Sequence, residues 1–410
     1  MNASIEPAAS PFPRRNGELI AGGRPISEIV AEFGSPLYVY DLAVLRRRHD
    51  ELRKALPPEL LITYAVKANP NRELLKHLGN LYDGIDLASA GEMESALAAG
   101  IPAAKMSFAG PGKSRRELRY AVDHGVGTVS LESERELEIL EEECAAAGKT
   151  SAVMIRVNPD FEFSRSGLKM GGGSKQFGID SERVPAAIKT LQASTRVKYK
   201  GIHIFSGTQN LNADSVIDAF SKILEYTVAL RESTGTPIDI LNLGGGFGIP
   251  YFKGDLPLDL DRAGAGIRKL LAEYGPKLPD TRFKIELGRY LVGECGLYVS
   301  RVLYRKVSRG AVFLILDGGM HHHLAASGNI SQSPIRRQMQ LLAANRLDAT
   351  PEKVNVVGPL CTPLDTFGMG IELPNMGEGD ILAIPNSGAY GPSMSPVAFL
   401  SHRPPLEIFL

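Results

Sequence analysis

Short β-rich apolar runs, each followed by a segment of helical period, recur through the middle of the chain, beginning with Leu60-Leu-Ile-Thr-Tyr-Ala-Val-Lys67. Further runs follow at Gly84 to Ser89, Lys105 to Gly110, Gly127 to Ser133, Ser151 to Asn158, Gly201 to Gly207, Ile238 to Gly246 and Arg282 to Gly288. The intervening pattern predicts helices at Arg115 to His124, Glu134 to Ala147, Ser215 to Arg231 and Ala263 to Tyr274. Ser89 and Glu92 have the spacing of a capping box that opens one more helix, and Gly100 followed by Pro102 closes it. Strand and helix in alternation imply a parallel sheet. Eight such strands within about 230 residues suit a closed (β/α)8 TIM-type barrel, with a doubly wound open sheet as the alternative.

After Arg289 the texture changes to longer strands without helices between them: Leu297 to Ser308, Ala311 to Met320, Val354 to Cys361 and Gly379 to Tyr390. This predicts a largely antiparallel β domain, with one helix around Pro334 to Leu347. Two short segments near the N-terminus, Gly17 to Ala21 and Pro25 to Phe33, are expected to join it. The expected division is a barrel over 36–288, and a β-sandwich or β-barrel-like domain from 1–35 and 289–410.

At 410 residues the chain is long enough for two such domains. Its 46 basic residues balance 46 acidic ones, so no global field favours nucleic acid or an anionic membrane. Cys144, Cys295 and Cys361 are odd in number and lack metal-ligand spacing, which argues against a disulfide framework or a zinc site and for a reducing compartment. The N-terminus reads unlike a secretory leader, and no apolar run approaches the roughly 20 residues of a membrane helix. A cytoplasmic protein is expected.

Polar residues fall where the predicted strands end: Lys67, Asp86 with Ser89, Glu132, Arg156 with Asn158, His203, the run Gly244-Gly245-Gly246, and Glu286 with Arg289. Barrel enzymes carry their chemistry at that end, so a full ring there reads as an active site. Lys67 closes an apolar strand, and desolvation by apolar walls would make its amine a nucleophile suited to Schiff-base chemistry; a lone lysine there would otherwise snorkel to solvent. The triple glycine follows the seventh strand, where barrels commonly cradle a phosphate, although a tight turn would also use it. A lysine and a phosphate cradle together suggest pyridoxal phosphate.

These features lie within a set of motifs that resembles the diaminopimelate and ornithine decarboxylase family, fold type III pyridoxal-phosphate enzymes. The motifs are Tyr64-Ala-Val-Lys67-Ala-Asn69, Gly244-Gly-Gly-Phe247, Glu286-Leu-Gly288-Arg289, Gly358-Pro-Leu-Cys361-Thr-Pro-Leu-Asp365 and Gly388-Ala-Tyr390-Gly391, in order from about Leu37 to the C-terminus. The resemblance implies that Lys67 holds pyridoxal 5'-phosphate as a Schiff base and that Glu286 pairs with the pyridine nitrogen. It places Gly244, Gly245, Gly246, Gly288, Arg289, Tyr390 and Thr208 about the phosphate or the substrate carboxylate, and Asp86 and Arg156 beneath the ring. It makes Cys361 the acid that reprotonates the α-carbon, supplied with Asp365 across the interface of a homodimer. A racemase of the same fold would carry arginine in place of Glu286. A non-catalytic regulatory homologue would not be expected to retain Lys67, Glu286 and Cys361.

Departures from the pattern bear on the substrate. Phe205 stands where the family stacks a histidine on the cofactor, so an aromatic face is kept and a proton-carrying one is not. His203 shares that strand face and reads equally as a barrel-interior histidine. Thr362 replaces the acidic residue that meets a substrate's distal ammonium, and His321-His322-His323 onward replaces the arginine and tyrosine that grip a distal carboxylate. Adjacent histidines on an extended strand would point to opposite faces, so no metal is expected. The pattern is similar to members that decarboxylate a conjugated amino acid, such as a carrier-protein thioester or a citryl conjugate. Arg336, Arg337, Arg346 and Arg403 are candidates for a basic face toward an acidic carrier.

Overall fold

A computed structural model describes residues 10–410, except 162–167, 170–172, 206, 253, 330–337 and 348. It forms two compact units: 49–248 with 258–288, and 10–48 with 249–257 and 289–410 among the described residues.

The first unit is a closed parallel barrel. Its strands are Leu61–Ala65, Gly84–Leu87, Met106–Phe108, Thr128–Leu131, Ser151–Asn158, Val197–His203, Ile240–Gly245 and Arg282–Leu287. Each pairs in parallel with the next, and Arg282–Leu287 returns to Leu61–Ala65 through the register Glu286↔Thr63. The apolar residues that mark the strands in the sequence are buried, including Ile62, Tyr64, Ile85, Leu87, Phe108, Val153, Ile155, Ile202, Leu241 and Ile285. Helices Arg115–His124 and Glu134–Ala147 coincide with their predicted bounds. The first has a complete capping box between Ser114 and Glu117, and both stop at a glycine in the left-handed region, Gly125 and Gly148.

The β-rich unit is a mixed sheet, mainly antiparallel. Gly296–Ser308 pairs antiparallel with Ala311–Leu316, Ile381–Ile384 and Leu37–Tyr40, whereas Ala311–Leu316 pairs parallel with Pro351–Val357. Helix Ile26–Phe33 and strand Glu18–Ala21 pack into this unit's core with Leu37, Val39, Leu297, Val299 and Ile381. Residues 36–48 and 249–257 group here rather than with the barrel, the former because Leu37–Tyr40 takes both Gly296–Val299 and Leu406–Phe409 as strand partners.

One predicted element is replaced and one strand goes unpredicted. The helix expected around Pro334 to Leu347 is absent over its described part, 338–347. Instead Leu342–Ala343 is a short strand paired with Leu382 and Ala383, so sheet hydrogen bonds override the helix-forming composition. Strand Thr366–Pro374, which no sequence pattern announces, pairs antiparallel with Pro351–Val357 and buries Phe367 and Leu373. No helix among the described residues is long and apolar enough to cross a membrane. The first nine residues, on which the reading of the N-terminus rests, lie outside the described residues.

Candidate active site

The barrel interior carries a connected polar ring. Asp86 and Glu286, only 5% and 6% exposed, come from the second and eighth strands. Glu286 accepts a hydrogen bond from Asn242 Nδ2, and its other oxygen lies 3.3 Å from His203 Nε2. His203 Nδ1 lies 3.3 Å from Ser130 Oγ. Lys284 Nζ is 3.8 Å from Glu286 Oε1 and donates to Ser107 Oγ at 3.1 Å, and Ser107 donates to Asp86 Oδ1 at 3.0 Å.

The charges sort clearly. Burial drives Glu286 upward, but His203, Lys284 and Lys67 outweigh it and hold the carboxylate well below its ordinary range. Burial lowers His203 against the pull of Glu286, and Lys284 and Lys67 add their charges to the His203 contact in holding Glu286 down. Asp86 moves the other way: burial and the neighbouring Glu286 raise it to about 8, partly offset by Lys67, Lys284 and Ser107.

Lys67 stands in the 3-10 turn Val66–Ala68 just past the first strand and is exposed while Val66 and Ala68 are buried. The apolar desolvation expected from the sequence is therefore not its environment. Its Nζ lies 5.5 Å from the centroid of the Phe205 ring, and its charge acts on Asp86 and Glu286. Gly288 lets the last strand approach this turn, since a Cβ there would lie 2.8 Å from the Ala68 Cβ.

The glycine run turns sharply, with φ of 68° at Gly244 and 94° at Gly246. A Cβ would meet Ile204 O and Phe205 at Gly244, Glu286 O at 1.8 Å at Gly245, and Gly207 O at 2.2 Å at Gly246. Asn242 braces the turn by accepting from Gly244 N at 3.0 Å while it donates to Glu286. The structure thus brings Phe205, Gly207 and Thr208 against the glycine turn. Arg156 donates to Glu132 at 2.8 Å and lies 4.8 Å from the Phe177 ring centroid; Glu132 also accepts from Gly110 N and Gly178 N. Asn158 is committed to Gly173 O and Asp180.

In the β-rich unit the Arg289 guanidinium lies 4.7 Å from the Tyr390 ring centroid and 5.3 Å from that of Tyr251, donating to the Tyr251 hydroxyl at 3.1 Å. Its buried Nε has no hydrogen-bond partner, as suits an anion receptor. Cys361 is exposed and Thr362 half-buried. Asp365 is 2% exposed, accepting from Met320 N at 2.6 Å and Leu360 N at 2.9 Å, so its carboxylate braces the loop that carries Cys361. His321 and His322 occupy a turn, not an extended strand, and their rings pack with centroids 3.7 Å apart. His322 Nε2 lies 2.9 Å from Arg403 O and His323 Nε2 lies 2.9 Å from Ser387 Oγ. No metal-holding group of three or more His, Cys, Asp or Glu occurs among the described residues. Arg346 pairs with Asp380 at 3.1 Å; Arg336 and Arg337 lie outside the described residues.

The family described as pyridoxal-dependent decarboxylase, pyridoxal binding domain, matches residues 42–293, a segment that contains all eight barrel strands. The chain belongs to that family. The decarboxylase is 39% identical to L-glutamyl-[BtrI acyl-carrier protein] decarboxylase of Niallia circulans, an alignment covering 93% of this chain and 90% of the relative. It is 31% identical to 2-[(L-alanin-3-ylcarbamoyl)methyl]-2-hydroxybutanedioate decarboxylase of Staphylococcus aureus, over 94% and 97%. The crystal structure of diaminopimelate decarboxylase from M. jannaschii superposes with a TM-score of 0.89 at 26% identity, covering 97% of this chain and 92% of that one.

Pyridoxal phosphate is the cofactor, and the residues present fit it. The charge of an exposed amine acts on two buried carboxylates, and Glu286 is held ionised in a setting where a pyridinium nitrogen is a fitting partner. The polar ring also contains residues that the strand ends do not announce: Asn242, Lys284, Ser107 and Ser130. Parity signals two of them: Lys284 stands two before Glu286 and Ser130 two before Glu132, so each has the spacing of a shared strand face with a recognised site residue.

Asp86 yields a test in the cofactor-free chain. Folded, it titrates near 8; unfolded, near its ordinary 3.8. Unfolding therefore releases a proton throughout that window, and stability falls as pH rises through it before levelling off. The Asp86→Asn variant is expected to gain melting temperature little near pH 4 and increasingly toward pH 8, with a constant gain above. A gain that is flat from pH 4 to 9 in scanning calorimetry would show that Asp86 ionises normally.

Proposed function

We propose that this decarboxylase removes the α-carboxyl group of an amino acid presented as a conjugate, with a carrier-protein-linked glutamate as the first candidate. The observation that carries the reading is Thr362 immediately after Cys361, where recognition of a free diamino acid calls for an acidic side chain. The names of the Niallia and Staphylococcus relatives support it, since both describe amino acids joined to a further group.

In this reading Lys67 holds pyridoxal phosphate and Glu286 takes the pyridine nitrogen. Bound there, the cofactor supplies an electron sink for the pair left on the α-carbon when carbon dioxide departs. Gly244, Gly245, Gly246, Gly288 and Thr208 receive its phosphate, and Phe205 covers one face of its ring. Arg289 and Tyr390 bind phosphate or substrate carboxylate. Asp86, Arg156 and His203 order the carboxylates and the lysine about the ring. The Cys361 thiol returns one proton to the α-carbon in place of carbon dioxide, supplied by the second subunit of a cytoplasmic homodimer, while Thr362 and Asp365 shape the distal end of the site.

The test is mass spectrometry for loss of carbon dioxide from glutamate as a carrier-protein thioester, against free glutamate, diaminopimelate, ornithine, lysine and arginine. The thioester is expected to turn over at least about 100-fold more efficiently than any free amino acid. Efficient turnover of free diaminopimelate would replace the proposal with a lysine-forming role.

A further inference from the structure

Lys284 has no role in the reading above, yet it touches both halves of the charged ring. It precedes Glu286 by two residues on Arg282–Leu287, so both side chains face the barrel interior. Its ammonium meets Glu286 directly, at 3.8 Å, and Asp86 through the Ser107 hydroxyl, by contacts of 3.1 and 3.0 Å. Its side chain is 12% exposed, so its charge is little screened by solvent.

The cations that act on both carboxylates are Lys67 and Lys284. They are not equivalent. Lys67 is exposed on a turn, and its nitrogen is the one given to the cofactor, so the charge it offers its neighbours changes with the state of the site. Lys284 is anchored mid-strand with its register pinned by Asn242 on one side and Leu61 on the other. An interior lysine carries a desolvation cost that an apolar residue of equal length would avoid, and the compensating contacts here all lead to the residues around Lys67.

We propose that Lys284 is a positioning residue for the decarboxylation: a fixed interior cation that keeps Glu286 ionised and Asp86 oriented through Ser107, independently of Lys67. It rests on the reading of Glu286 as the partner of the pyridine nitrogen. Lys284 acts on the reaction through Glu286 and touches neither substrate nor the reacting carbon.

The experiment compares Lys284→Met, Lys284→Arg and Glu286→Gln with wild type in three measurements: melting temperature without cofactor, the pH titration of the holoenzyme's visible absorbance, and kcat and KM across pH. Lys284→Met is expected to fold, because methionine fills the same space without a buried charge. Loss of a cation 3.8 Å from Glu286 moves the acid limb of kcat, and the matching spectral transition, upward by about one to two pH units. Within the displaced limb kcat falls by about tenfold per pH unit of displacement, while at pH 7, where Glu286 stays ionised, kcat and KM remain within about threefold of wild type; Lys284→Arg restores the acid limb. An unmoved acid limb in Lys284→Met, while Glu286→Gln abolishes the spectral transition, would overturn the proposal and leave the Glu286 reading intact. A spectrum and pH profile unchanged by Glu286→Gln would overturn the Glu286 reading and the proposal with it. Parallel loss of melting temperature and kcat in Lys284→Met, unrescued by arginine, would mark Lys284 as merely structural.

Discussion

Lys67→Ala is expected to lower decarboxylation by more than about a thousandfold while leaving the fold intact. Borohydride reduction should fix the cofactor to the wild-type chain at Lys67 and leave the variant unlabelled. The size of the effect follows from how two buried lysines of the barrel are held. Lys284 is held by Ser107 and Glu286, and Lys113 is buried in an ion pair with Glu136 at 2.8 Å while donating to Gly110 O and Ser130 O. Neither amine is free to move without stranding a buried carboxylate. Lys67 is exposed, so its removal deletes no core packing. Retention of a tenth of the activity, or borohydride labelling at another lysine, would remove the basis for every role assigned around it.

Cys361→Ala is expected to slow turnover by about a hundredfold or more, the ordinary scale for removing a positioned proton donor. If each site draws Lys67 from one subunit and Cys361 from the other, the Lys67→Ala and Cys361→Ala proteins should complement. Refolded together in equal amounts, half of the dimers are mixed and carry one intact site of two, so activity should return to about a quarter of wild type. Two dimeric variants that stay inactive together would show that Cys361 does not serve a neighbour's site. The exposure of Cys361, set on a loop braced by the buried Asp365, is what such a donor needs.

The barrel was legible because its signal is local. A parallel strand buried on both faces must be a short apolar run, and a helix laid over it must show apolar period and caps, so Leu61–Ala65 or Arg115–His124 can be found without knowing their neighbours. The β-rich unit was less legible, because its strands depend on distant partners. Leu342–Ala343 has helix-forming neighbours, yet its backbone groups are paired with Leu382 and Ala383. Thr366–Pro374 carries two glycines and a bulged register and declares itself only beside Pro351–Val357.

The amino-acid order alone determined the residue types at the strand ends, the glycine turn and the motif set that marks the family, since these are properties of adjacent positions. It could not determine charge state or exposure, which depend on what the closing of the barrel brings within a few ångströms. Lys67 follows an apolar strand, yet its side chain is exposed; Asp86 and Glu286 are the same chemical group, yet one is raised and the other lowered. That split arises because His203 and Lys284 lie directly against Glu286, whereas Asp86 meets Lys284 only through the Ser107 hydroxyl and is raised further by Glu286, an asymmetry that exists only once the eighth strand lies against the first.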